Sequence, residues 1–309
     1  MKTFKKITLT VLIIFSLLFI GGYIYFNQKF TPPINTLTVS GNSGNIPIKW
    51  MKDGENNYSA LLLPVKLKNI DKTLYMQLDT GTPTTVFYQK SLESIQKKFF
   101  PNKKFNEIFS DFNLNKMKIN SPYFSVINYG SSINFKDPKA IPIIGTIGSD
   151  LLEKRIIILD FKNTVCSFTE TINEEGFSDF EFKKRKILLP AKIGNKTLKL
   201  MYDSGTSGYE LITNLEGWNK YRIPKSPEKH EKGNAWGNTL TIKTSAANQK
   251  LEIANSVLQL SEITYIEGTS KIQKFLMKSS GMEGMLGNKI FINSTLILDC
   301  NNKKFTVKR

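Results

Sequence analysis

The chain has 309 residues, 43 Lys and Arg against 26 Asp and Glu, a formal charge of +17, and 40% hydrophobic residues. With 21 Phe and 11 Tyr it is too rich in aromatics for a disordered chain, and it is long enough for one large domain or two lobes of roughly 120 residues each. The lysines are scattered, as in KKFFPNKKF and FKKRK, with no recognition helix or zinc-finger spacing, so nucleic acid is not an expected partner.

At the N-terminus Lys2, Lys5 and Lys6 precede an uncharged run over residues 7–26, long enough to cross a bilayer as a helix. The flanking lysines favour a cytoplasmic N-terminus. The run ends in GGYIYFNQKF, without an Ala-x-Ala-like cleavage site, so residues 1–30 are expected to be an uncleaved membrane anchor. The body is then expected to be extracytoplasmic, in the periplasm or at the cell surface. Pro32 and Pro33 stop any helix, and residues 31–57 read as a stalk in which IPIKW is a candidate first strand of an interlobe sheet.

Two stretches further on run in parallel. LLLPVKLKNIDKTLYMQLDTGT and ILLPAKIGNKTLKLMYDSGT each carry Leu-Pro-x-Lys, a polar turn, and an alternating strand. The strands end at Asp79-Thr80-Gly81-Thr82 and at Asp203-Ser204-Gly205-Thr206. After the first copy and Pro83, FYQKSLESIQKKFF reads as a helix. The halves also close alike, with IIGTIGSDLLEKRIIILDFKN and EGMLGNKIFINSTLILDCNN. Gly148 precedes Asp160, and Gly287 precedes Asp299, by the same twelve positions. Three landmarks in the same order twice are an internal duplication. The body is mostly β, with an N-terminal lobe over 58–170, a polar linker over 171–185, and a C-terminal lobe over 186–309.

Each tetrad is chemically sensible as a device for aiming one carboxylate. The Gly permits a tight turn with amides pointing inward, and the hydroxyls on either side brace the turn and the acid. A pseudo-two-fold axis brings the two acids together. Carboxylates about 3 Å apart cannot both ionise, so they share a proton and offer one acid and one base. Such a pair activates water without metal, cofactor, serine or histidine. His230, the one histidine, lies in the polar stretch YRIPKSPEKHEKG, read as a loop; Cys166 and Cys300 make no metal site, though an oxidising location permits a disulfide between them.

On these motifs the chain resembles the aspartic proteases of the pepsin-like and retroviral-protease-like group. The likeness extends to Thr146-Ile147-Gly148 and Met285-Leu286-Gly287, similar to the elements that pack behind each catalytic turn in that family's psi loops. It covers roughly residues 58–309. It implies a bilobal fold of two pseudo-symmetric barrel-like lobes, and a catalytic dyad of Asp79 and Asp203. It also implies a grip between Thr80 and Ser204, carboxylates oriented by Thr82 and Thr206, and psi-loop positions at Ile147, Gly148, Leu286 and Gly287. The implied partner is an extended peptide or protein substrate in the interlobe cleft, handled by a monomer. Tyr129 is a candidate flap tyrosine, although it falls late in the lobe; the alternatives are a plain strand end, or a cover formed by residues 101–115. Trp236, in GNAWGNT, is a candidate substrate contact at a hairpin tip.

Asp160 and Asp299 are read as turn caps, Asp150 as a helix-start acid, and Glu210 as a polar wall of the second turn. The leading expectation is thus a membrane-anchored aspartic endopeptidase. The alternative is an inactive peptide- or protein-binding protein of the same fold in the cell envelope. A sugar hydrolase with two carboxylates is a third class, but its acids sit about 5 Å or more apart and rarely come from matched turns.

Overall fold

The computed structural model describes residues 21–22, 27–103, 108–235, 238–268 and 281–309. The N-terminal anchor is corrected. Among the described residues no helix is long and apolar enough to cross a membrane. Residues 1–20 and 23–26, most of the stretch read as the anchor, lie outside the described residues. The membrane as a partner, the membrane-anchored extracytoplasmic placement, and the membrane-anchored form of the enzyme are withdrawn with it.

Residues 35–309 form one compact unit, separate from residues 1–34. That unit takes in the stretch read as a stalk, which supplies β1 (Thr38–Ser40), β2 (Ile46–Pro47) and β3 (Lys49–Asp53). The first half continues with β4 (Asn56–Val65), β5 (Leu74–Leu78), β6 (Val86–Tyr88), helix α1 (Gln89–Phe99), β7 (Asp111–Leu114) and β8 (Met117–Asn120). It ends with β9 (Ser125–Ile127), β10 (Ile143–Ile147), β11 (Ile156–Asp160) and β12 (Val165–Thr169). After β13 (Ser178–Asp179) and β14 (Glu181–Lys183), the second half runs through β15 (Lys186–Ile193), β16 (Lys196–Tyr202), β17 (Leu211–Thr213) and helix α2 (Leu215–Tyr221). It closes with β18 (Glu228–Ala235), β19 (Asn238–Ile253), β20 (Ser256–Glu267), β21 (Gly284–Leu286), β22 (Thr295–Asp299) and β23 (Lys304–Lys308).

The duplication is visible strand by strand. One sheet has the order β3-β4-β5-β10-β6-β9, and another contains β15-β16-β21-β17-β20. In each, the strand ending at the aspartate runs parallel to a strand from the far end of the half, β5 to β10 and β16 to β21. Each returning strand also pairs antiparallel with the strand that leaves the turn, β10 with β6 and β21 with β17. A third sheet, β13-β23-β22-β11-β12-β2, takes β2, β12 and β11 from the first half, β22 and β23 from the second and β13 from the stretch read as linker, and is seamed by β11 against β22. Phe161 from one half stacks on Phe291 from the other across that seam, with centroids 6.3 Å apart.

The alternation along β5 explains its placement. Leu74, Met76 and Leu78 are buried, while Tyr75 and Gln77 are half-buried on the opposite face. The segment around His230 is strand rather than loop: it belongs to β18, which pairs with β19 from Glu228↔Ser245 to Ala235↔Asn238. Its charged residues Glu228, Lys229, Glu231 and Lys232 do not alternate with apolar ones, and the ladder is made by backbone groups whatever the side chains are. His230 is exposed, 3.2 Å from Glu228.

Candidate active site

Asp79 and Asp203 stand at matching strand ends, and the parallel neighbour holds each. The Asp79 amide donates to the Ile147 carbonyl at 3.0 Å, and the Asp203 amide to the Leu286 carbonyl at 2.9 Å. Glycine is required just beyond each of these carbonyls by close approach. A Cβ on Gly148 would meet the backbone of Thr84, and one on Gly287 would meet the carbonyls of Thr206 and Tyr209.

The two turns are tied reciprocally. The Thr80 amide donates to Ser204 Oγ at 2.9 Å, and the Ser204 amide donates to Thr80 Oγ1 at 3.0 Å. Each hydroxyl then donates across to the opposite strand, Thr80 to the Tyr202 carbonyl and Ser204 to the Leu78 carbonyl. Thr80 and Ser204 are buried, so every donor and acceptor here needs this partner. The grip brings each acid over the other turn. A Cβ on Gly81 would lie 2.6 Å from Asp203 Oδ1, and one on Gly205 would lie 2.6 Å from Asp79 Oδ1. Any side chain at either glycine would displace the opposing carboxyl group.

The pair is chemically unequal. Asp79 accepts from the Gly81 amide at 2.9 Å, the Thr82 amide at 3.1 Å and the Thr82 hydroxyl at 2.9 Å. Asp203 accepts from the Gly205 amide at 2.9 Å, but the Thr206 hydroxyl turns to the Asp203 backbone carbonyl. The matched orienting role expected of Thr82 and Thr206 is therefore not matched in geometry. Burial, and then the negative charge of Asp79, push Asp203 up to about 7, with the Gly205 amide opposing the shift.

A cleft of about 1630 Å³, larger than the roughly 300–1,000 Å³ of a small-molecule pocket, adjoins the two turns: Gln77, two residues before Asp79, and Gly205 and Thr206, just after Asp203, line it. Its walls are the β3–β4 turn, residues 128–134, residues 205–209 and the β18–β19 hairpin. Tyr129 is an exposed part of this wall and packs edge-on to Tyr88, with centroids 4.9 Å apart. Tyr88 is bonded to Thr146 and pushed up to about 12 by burial. Trp236 lies outside the described residues. Of residues 101–115, the part that enters β7 contributes Phe112 and Leu114 to the hydrophobic core, and neither is part of the cleft wall. At the rim, Lys229 from β18 bridges to Glu55 of the β3–β4 turn at 3.3 Å and to Glu231 at 2.9 Å.

The remaining acids are structural. Asp160 accepts from the Asn163 amide, and Asp299 from the amides of Asn301 and Asn302, closing the two matched turns. Asp150 accepts from both the amide and hydroxyl of Thr85, bracing the strand that leaves the first turn. Glu210 accepts from the amide and hydroxyl of Ser261 and from the Glu262 amide. Cys166 and Cys300 are buried free thiols, both pushed up by burial.

Sequence reading missed two supports. Arg185, in the segment read as linker, is buried and donates to Glu153 at 2.8 Å and to the Pro83 carbonyl at 3.0 Å, holding the exit of the first turn. Asn288 links Tyr202 to Ser207 behind the second turn. The only local signal for Asn288 was its place after Met285-Leu286-Gly287.

No protein-family model matches this chain, and no curated protein matches it. Among solved structures, the chain is similar to the aspartic proteinase from Irpex lacteus, at 11% identity and a TM-score of 0.47. The match covers 87% of this chain and 97% of that one.

Proposed function

We propose that this chain is an aspartic-type endopeptidase whose dyad is Asp79 and Asp203. The observation that carries the reading is the reciprocal Thr80–Ser204 grip, which puts each carboxyl group over the opposite turn's glycine. Asp79, with three donors on its carboxylate, is the better-solvated anion and acts as the general base. Asp203, raised to about 7, holds the proton. Water between them loses a proton to Asp79 as its oxygen attacks the peptide carbonyl carbon. Asp203 donates its proton to the carbonyl oxygen, so no free oxyanion forms. On collapse Asp79 gives its proton to the leaving nitrogen, Asp203 takes a proton back from a hydroxyl of the neutral intermediate, and the C–N bond breaks to leave a carboxylic acid, an amine and the dyad as it began. The volume of the cleft, about 1630 Å³, suits a peptide rather than a small molecule, held largely through its backbone.

A second reading keeps the fold and the bound peptide without turnover. It is favoured by the Glu55–Lys229 bridge, which ties the two sides of the cleft at its rim and suits a protein that retains what it binds. One experiment separates the two. The full chain, Asp79→Asn and Asp203→Asn are incubated with a mixed peptide library from pH 3 to 8, and products are read by mass spectrometry. Cleavage lost in both variants is the expected result. Cleavage surviving in either variant sinks the dyad, and binding without cleavage by the unaltered chain supports the second reading.

A further inference from the structure

Two residues before each catalytic aspartate, the strand period of two places a side chain on the same face as the acid. The two halves differ at that position. In the second half it is Met201, apolar and buried. In the first it is Gln77, half-buried on the face of β5 turned away from the core, and part of the cleft wall. Ala60, Ile143 and the Tyr88 ring are also in this wall. Among the described residues the Gln77 side-chain amide has no hydrogen-bond partner. The register puts Leu62 of β4 directly opposite Gln77, with Ala60 next along the same face. The charged side chains of the wall belong to other elements: the β3–β4 turn, α1 and β18. A single uncharged polar side chain among apolar neighbours therefore stands on the strand face that carries Asp79, at a position where the matching half is apolar.

We propose that this subsite selects a substrate residue with a carboxamide side chain, glutamine or asparagine, next to the scissile bond, and that Gln77 is its specificity-determining residue. The inference rests on the peptide-hydrolase reading only in that the cleft holds an extended peptide. A primary amide both donates and accepts, so Gln77 and a substrate carboxamide satisfy each other reciprocally. An aliphatic side chain of similar length fills the same space but leaves the Gln77 amide covered and unpaired, and sites that hydrogen-bond a substrate group reject the analogue lacking it. An acidic side chain is disfavoured by the charge of the dyad. The apolar stem of glutamine suits Ala60 and Ile143, and its end meets the Gln77 amide.

The test uses the full chain and Gln77→Met, which restores the apolar residue of the matching half at nearly the same volume. Both are given a degenerate octapeptide library, and the residues flanking each cut are read by mass spectrometry. Enrichment of Gln and Asn on one side of the cut is expected for the unaltered chain. In Gln77→Met that enrichment should pass to Leu and Met, with kcat/KM for a Gln peptide falling about 10- to 100-fold and the pH profile unmoved. Should Gln77→Met fail to fold, Gln77→Glu replaces it, and the preference should move to Lys. An aliphatic preference on both sides in the unaltered chain, or the same profile in a folded Gln77 variant, overturns the proposal.

A second arm measures binding of two capped octapeptides, identical except for Gln or Leu at that position, to Asp79→Asn and to Asp79→Asn with Gln77→Met. Selective binding of the Gln peptide that is lost on changing Gln77, without cleavage by the unaltered chain, leaves the role of Gln77 standing and removes the hydrolase reading. Equal binding of the two peptides, or binding of neither, overturns the role of Gln77.

Discussion

Asp79 and Asp203 bring the same side chain into unequal surroundings, and the inequality has a measurable consequence for stability. Folding moves Asp203 from its ordinary value of 3.8 up to about 7. Between those values the folded chain holds a proton that the unfolded chain has released. Stability from this group is therefore greatest below about pH 4, falls as pH rises toward 7, and is flat above. At about 1.4 kcal/mol per pH unit, the loss across the window is about 4 kcal/mol. Asp203→Asn cannot ionise, so relative to that variant the unaltered chain should lose Tm progressively from pH 4 to 7. Parallel melting curves across the range would mean that Asp203 is not the proton holder. The same titration sets the expected alkaline limb of activity near pH 7, because a dyad without its proton has no acid.

At the scale of elements, the two turns depend on each other more than on their own strands. Thr80 and Ser204 exchange amide–hydroxyl bonds in both directions, and each hydroxyl also serves the opposite strand. Removing either hydroxyl leaves one buried amide and one buried carbonyl unpaired and loosens the facing turn, so the second removal acts on a turn already displaced. Thr80→Val and Ser204→Ala should each destabilise the chain, with a coupling of about 1–3 kcal/mol in a denaturant double-mutant cycle. Additive losses would show that the grip is two separate contacts. The grip was legible in the sequence because Asp-Thr-Gly-Thr and Asp-Ser-Gly-Thr are local signals that repeat in identical settings. Arg185 was not legible: its bond to the Pro83 carbonyl joins residues 102 apart, and its sequence neighbours read as a solvated basic run. The β18 strand was hidden because its ladder is made by backbone groups, while its run of charged side chains shows no period of two. The unequal roles of Thr82 and Thr206 depend on hydroxyl rotamers, which two identical residue types in matching motifs do not distinguish.

For the whole molecule, the duplication governs how the chain is held together. The third sheet divides into β2, β12 and β11 before the crossing at Glu170–Phe177 and β13, β22 and β23 after it. Its seam is five consecutive antiparallel pairs, from Ile156↔Asp299 to Asp160↔Thr295. Ile157, Leu159, Leu296 and Leu298 along it are buried, so either half alone exposes both an apolar surface and an unpaired strand edge. The segment between Glu170 and Phe177 is the one covalent crossing between the halves, and much of it is exposed. Cutting there removes few contacts, whereas separating the halves breaks the seam, the Phe161–Phe291 stack and the Thr80–Ser204 grip together. Residues 1–175 and 176–309 co-expressed as two chains should therefore copurify as a 1:1 complex, while each expressed alone should aggregate. The dyad exists only in the complex, since its two acids come from different chains. A half that stays monomeric and folded alone, judged by gel filtration and a cooperative melt, would mean that each lobe closes its own core and that the shared sheet contributes little to holding the acids together.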